Sequence, residues 1–143
     1  MSSRQTIHDA IGDIVDGIST SIIPVKYRYP ESSPTQFPAT FTLFRGSPPE
    51  RKVDTITNEV IYNFAIVTVY PIDESATGYQ KWLLLYDTLT DELRKDDYQT
   101  LSGNAIDFMV ETNGQPVATE EFAQPCVMLD IRVTAKVLKS ITA

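Results

Sequence analysis

Near the start of the chain, Ile7, Ile11, Ile14 and Ile18 recur at spacings of four, three and four, which stacks them on one face of a helix running from Arg4 to Ile18. His8, Asp9, Asp13 and Asp16 fall largely off this stripe. They are expected in solvent, His8 as a surface histidine rather than a general base, and Gly12 and Gly17 weaken the helix without changing its period. After Pro24, VKYRY alternates apolar bodies with charge, as a short half-exposed edge strand would, until PESSPTQFP interrupts regular structure. Phe37, Ala39, Phe41 and Leu43 then alternate with Pro38, Thr40, Thr42 and Phe44 in a strand that ends at Arg45-Gly46. GSPPERKVDTITN is rich in Pro, Gly and charge and reads as a long exposed loop from Gly46 to Asn58.

Glu59 to Ile72, EVIYNFAIVTVYPI, is β-branched and aromatic nearly throughout, the composition of a central strand covered on both faces for part of its length. The period then changes. Trp82, Tyr86, Leu89 and Leu93, with Leu85 beside them, predict a second helix between Ser75 and Asp97, capped by Ser75 and closed by Arg94 and Lys95. DDYQTLSGN turns the chain into two last strands, Ala105 to Glu111 and Cys126 to Leu138, separated by TNGQPVATEEFAQP with its Asn113-Gly114 turn signal. In the final strand Leu129, Ile131, Val133, Ala135 and Val137 point to a core while Asp130, Arg132, Thr134 and Lys136 face water or a partner. Strands in pairs rather than singly between helices predict an α+β fold: a mainly antiparallel sheet of four to five strands with two helices packed on one face. The 143 residues are expected to form a single domain, 1–143, without internal repeats.

Twelve basic against nineteen acidic residues give a formal net charge of −7, a sign that repels phosphate backbones and argues against tight nucleic-acid binding. The start of the chain carries acidic residues where a signal peptide has an unbroken apolar run, and no stretch reaches the ~18 apolar residues of a spanning helix, so neither export by that route nor a membrane partner is expected. The single cysteine, Cys126, lies in CVMLDIRV and reads as a packed, inert thiol. With one Cys and one His, no CxxC or HExxH pairing can be written, so no metal and no cofactor is expected.

Catalytic motifs are equally scarce. GxSxG, GxxxxGK[ST] and GxGxxG do not occur, and one histidine would have to serve every acid-base role, so no catalytic residue is assigned. The pairs Asp73-Glu74, Asp91-Glu92, Asp96-Asp97 and Glu120-Glu121 read as solvated charge. Arg45, Arg51 and Lys52 form the one local basic excess, and with Asp54 they are the candidate assembly contacts.

The amphipathic first helix, the strand FPATFTLF, the long polar loop, NEVIYNFAIVTVYP, a helix ending YDTLTDELRKD, the turn QTLSGNAIDF and the last strand MLDIRVTAKV together resemble the tail terminator, or tail-completion, proteins of long-tailed bacteriophages over roughly residues 4 to 138. The helix-to-turn unit Leu89, Leu93, Thr100, Leu101 and Gly103 carries most of the likeness. The resemblance implies a structural virion protein, made in the bacterial host cytoplasm, and not an enzyme. It implies a homo-oligomeric ring, commonly of six copies, that sits on the tail tube protein, ends tube polymerisation and offers a docking face to a head-tail connector or neck protein. DNA would pass through the lumen without specific binding, and the Gly46–Asn58 loop would order on assembly. A phage neck or head-completion protein is the alternative station. An accessory protein of a secretion or contractile injection system shares the same logic. A small-molecule-binding α+β module, using a cleft near Trp82 and Tyr79, is the alternative from another class. Head and tail genes on either side of the coding sequence would favour the phage reading, and an isolated metabolic operon would oppose it.

Overall fold

A computed structural model of the protein describes residues 3–18, 20, 22–30, 34, 37–71, 76–95, 100–111, 116–119 and 126–140. Helix α1, Ser3–Asp16, carries the isoleucine stripe: Ile7, Ile11, Ile14, Val15 and, just past its end, Ile18 are all buried. Their partners are the buried Leu85, Leu89 and Leu93 of α2, Ala76–Leu93, so the two helices share one core. That core is completed by two strands of 15 residues each, β4, Thr57–Pro71, and β7, Cys126–Ser140. They pair antiparallel over their whole length, from Thr57 opposite Ser140 to Pro71 opposite Cys126. Directly opposed residues share a face, so Tyr62 with Ala135, Phe64 with Val133 and Ile66 with Ile131 form the floor under the helices.

The opposite face of the same strands holds a second apolar cluster of Phe41, Ala65, Val67, Val69 and Cys126, flanked by Tyr27, Phe37, Leu43 and Met128. Six consecutive positions of β4, Phe64 to Val69, are consequently buried, which is what a continuous apolar run without alternation requires. Around this pair lie β1, Val25–Tyr27, β2, Ala39–Gly46, and β5, Asp107–Val110, in the order β1-β2-β4-β7-β5. Two short strands join the same edges: β3, Arg51–Lys52, pairs with β4, and β6, Val117–Thr119, pairs with β7.

The fold is α+β with both helices in one core, as expected, but its sheet has seven strands among the described residues rather than four or five. The two extra strands have two and three residues, too few to show a period of two. β1 pairs with β2 in parallel and the other pairings are antiparallel, so the sheet is mixed. The proposed Ser75 cap and the Asn113-Gly114 turn lie outside the described residues.

His8 corrects an expectation. Only 7% of it is exposed: its ring stacks on Tyr29 with centroids 4.9 Å apart and lies 5.9 Å from Phe64. Position 8 stands three and seven residues before Ile11 and Val15, so a stripe widened to include the buried Val15 also takes in His8. Gly12 has a more specific reason than helix weakening. A Cβ there would come within 2.7 Å of the Arg28 side chain, which crosses α1 at that point. The Arg28 guanidinium donates to the Asp9 carbonyl at 2.9 Å, to Asp13 at 2.6 Å and to Asp16 at 2.5 Å, tying the segment after β1 to the helix.

Candidate assembly interface

The length of β4 and β7 produces the most distinctive surface. A compact chain of 143 residues has a radius of gyration of roughly 14–15 Å, a sphere about 37 Å across, whereas 15 extended residues span roughly 50 Å. Burial shows which end protrudes. At the Pro71 end Cys126 is fully buried, while at the other end Leu138, Lys139 and Ser140 and everything from Arg51 to Ile56 are exposed. β3, the start of β4 and the end of β7 therefore form a three-stranded tongue standing out from the helix-covered body.

Local chemistry shapes the tongue. β2 stops at Gly46, whose φ of +101° excludes most side-chain-bearing residues. Arg51 and Lys52 pair with Glu59 and Asn58, and the turn between them is closed by the Val53 and Asp54 N–H groups donating to the Thr57 carbonyl at 3.0 and 3.3 Å. The Asp54 carboxylate accepts from the Ile56 N–H at 2.8 Å, a side chain mimicking a turn of backbone. At the base, Lys136 lies 3.8 Å from Glu59. The expected long loop is therefore partly regular: its second half is an ordered hairpin in the isolated chain.

Three of the four candidate contacts, Arg51, Lys52 and Asp54, come together on this tongue. Arg51 and Lys52 make no ion pair among the described residues and sit on an edge strand, where basic side chains discourage indiscriminate strand pairing. Apolar groups accompany them: Val53 is 54% and Ile56 62% exposed, with Leu138 exposed alongside. Arg45 is elsewhere. It sits in β2 on the helix-free face and is ion-paired with Asp130 of β7, a partner no local reading of the sequence could supply. There it borders a polar cleft of about 290 Å³ with Asn63, Glu111, Arg132 and Thr134, in which the Thr134 hydroxyl donates to the Asn63 side-chain oxygen at 3.1 Å.

A second concave surface, which sequence reasoning missed, lies between the first turns of α1 and β2. It is a mainly apolar groove of about 300 Å³ bounded by Arg4, Gln5, His8, Tyr29, Phe44 and Phe64. The Arg4 guanidinium lies over the rings of Phe44, at 4.9 Å, and Tyr62, at 5.7 Å, a cation–π arrangement. Gln5 donates to the Tyr29 hydroxyl at 3.0 Å and to Asp9 at 2.9 Å. A hydrogen bond with His8, first of all, holds the Asp9 carboxyl below its ordinary range. From Asp9 the helix continues in an acidic stripe through Asp13 and Asp16. The sequence signal was present in Tyr29, two residues past β1, and Phe44, within β2, but pairing them with α1 requires the fold.

Cys126 is buried as expected, and burial pushes its thiol pKa up. Glu92 of the Asp91-Glu92 pair is bonded to Lys95 at 2.8 Å, while the other acidic pairs and the side chains of Tyr79 and Trp82 lie outside the described residues. No helix among the described residues is long and apolar enough to cross a membrane. Scans against protein-family models and against curated proteins return no match for this chain.

Proposed function

We propose that the chain is a structural, non-enzymatic virion protein that assembles into a ring on the end of a phage tail tube, stops tube growth and presents a docking face to the head connector. The projecting tongue is the observation that carries this reading. An ordered three-stranded extension with exposed Val53, Ile56 and Leu138 adds apolar surface that the monomer does not use, and surface of that kind is retained where another molecule covers it. A ring closed by head-to-tail contacts needs two different patches on each copy, and a protruding edge is one of them. The net charge of −7 fits a lumen through which DNA slides without adhering. The layout of helices and strands supports the same assignment through its resemblance to tail terminators.

The test is native mass spectrometry at ~1 and ~50 μM, a range over which weak contacts respond to mass action, with and without tail tubes assembled from the tube protein of the same virion. A closed oligomer at the higher concentration or on tube ends is expected. A monomer throughout that ignores tubes would overturn the proposal.

A further inference from the structure

We infer that the tongue of one copy docks on the α1 groove of the next copy, with its tip beside Arg4 and its basic strand along the acidic stripe Asp9, Asp13 and Asp16. The inference takes from the ring reading the idea of head-to-tail assembly, but the contact itself rests on the chemistry of two surfaces of this chain. Each is apolar at its centre: Val53 and Ile56 on the tongue, Tyr29 and Phe44 in the groove, with Tyr29 58% exposed. Each is charged in an order that matches the other. From Arg4 the helix passes the groove and reaches Asp9 and then Asp13, roughly 7 and 13 Å further on at 1.5 Å per residue. From Asp54 the tongue runs back through Val53 to Lys52 and Arg51, roughly 7 and 10 Å away at 3.3 Å per residue. Laid along α1 with its tip at the N-terminal end, the tongue places Asp54 at Arg4, its apolar side chains over the groove and the cation of its docked face at the aspartates.

The net sign of the stripe supports this direction. Against Asp9, Asp13 and Asp16 stand two cations, Arg28, which hydrogen-bonds both Asp13 and Asp16, and Lys26, which donates to the Asp16 carbonyl at 3.2 Å, so one negative charge remains in excess. Arg51 and Lys52 point to opposite faces of β3, so whichever face docks presents one cation to meet it. One oxygen of Asp54 is engaged by the Ile56 N–H, and the other is open to Arg4. A single tongue tip seated in a groove of about 300 Å³ is a small contact, so one pair is weak and a closed ring, where each copy both gives and receives a tongue, is favoured over open chains.

The experiment reads self-association in the absence of tail tubes, so its failure is distinct from failure of the virion assignment. Two full-length variants are compared by native mass spectrometry at ~0.05 M salt, where surface charges are little screened: Arg51→Glu/Lys52→Glu and Asp13→Lys/Asp16→Lys, each checked for an unchanged circular dichroism spectrum. Each alone is expected to need at least roughly tenfold more protein than wild type to associate, and an equimolar mixture is expected to recover association, because every contact in an alternating ring is again complementary. An uncharged variant, Ile56→Ser, is expected to lose association without a change of charge. Wild-type association by either charge variant alone, a mixture that stays monomeric, or a wild-type chain that never self-associates would each overturn the contact. Tongue variants that self-associate normally but lose tail-tube binding would overturn it too, and assign the tongue to the tube protein.

Discussion

Replacing Ile56 by serine and, separately, Ile66 by alanine distinguishes a surface built for contact from one built for folding. Ile56 sits at the tongue tip, just before β4, and Ile66 lies within the body half of that strand: Ile56 is 62% exposed and Ile66 fully buried. Full burial of such a side chain contributes about 1.5–3 kcal/mol, so the third or so of Ile56 that is covered contributes roughly 0.6–1.2 kcal/mol. Ile66 lies in the floor between the helices and the second apolar cluster, with Ile131 opposite it, and truncating it leaves a cavity that costs about 2–5 kcal/mol. For a chain of this size each kcal/mol moves the melting temperature by about 3–5 °C, so Ile56→Ser is expected to lose roughly 2–6 °C and Ile66→Ala roughly 6–25 °C. Thermal unfolding followed by far-ultraviolet circular dichroism, at a concentration where the chain is monomeric, measures both. Equal losses would refute the reasoning, because they would mean that the tongue tip is packed within the monomer and is not free to receive a partner.

Three further outcomes follow from individual sites. The hydroxyls of Thr40 and Thr68 are buried opposite each other on β2 and β4 with no hydrogen-bond partner among the described residues, so Thr68→Val, which keeps the shape, is expected to raise stability by about 1 kcal/mol in urea unfolding. Gly12→Ala in an Arg28→Ala background should gain about 1 kcal/mol of helix propensity, whereas in the wild-type background the Cβ displaces Arg28 and cancels that gain; a double-mutant cycle by urea unfolding reads the difference, and additivity would contradict the close approach. Cys126 should resist an aromatic disulfide reagent in the native state and react on unfolding. Because its folded pKa is raised above an ordinary value of 9.0, its contribution to stability is complete below that pH and is lost as pH rises beyond it, a loss that Cys126→Ala should abolish in unfolding measured from pH 8 to 10.5.

The parts of the fold legible in the sequence are those whose packing leaves a periodic trace. The isoleucines of α1, the unbroken apolar run of β4 and the alternation from Leu129 to Ala135 each encode the surface they bury, and the buried positions agree with them. What escaped reading has no local trace. β3 and β6 are too short for a period, and the parallel pairing of β1 with β2 depends on how the chain returns between them. Arg45 looks like a member of a basic loop with Arg51 and Lys52 until the sheet brings Asp130 to it from 85 residues away. Gly12 reads as a weak point of a helix until Arg28, which belongs to another segment, is seen lying over it. His8 is a different case: its position on the widened stripe was visible, and expecting charge-bearing residues outside hid it.

The central claim, that this chain caps a tail tube, is tested most directly by electron microscopy of tubes polymerised from the tube protein of the same virion in the presence of increasing amounts of the chain. Tubes that stop growing and end in one additional ring of density, with the Arg51→Glu/Lys52→Glu variant failing to form that ring, are the predicted result. Tubes of unchanged length with bare ends, at concentrations where the chain is folded and in excess over tube ends, would contradict it.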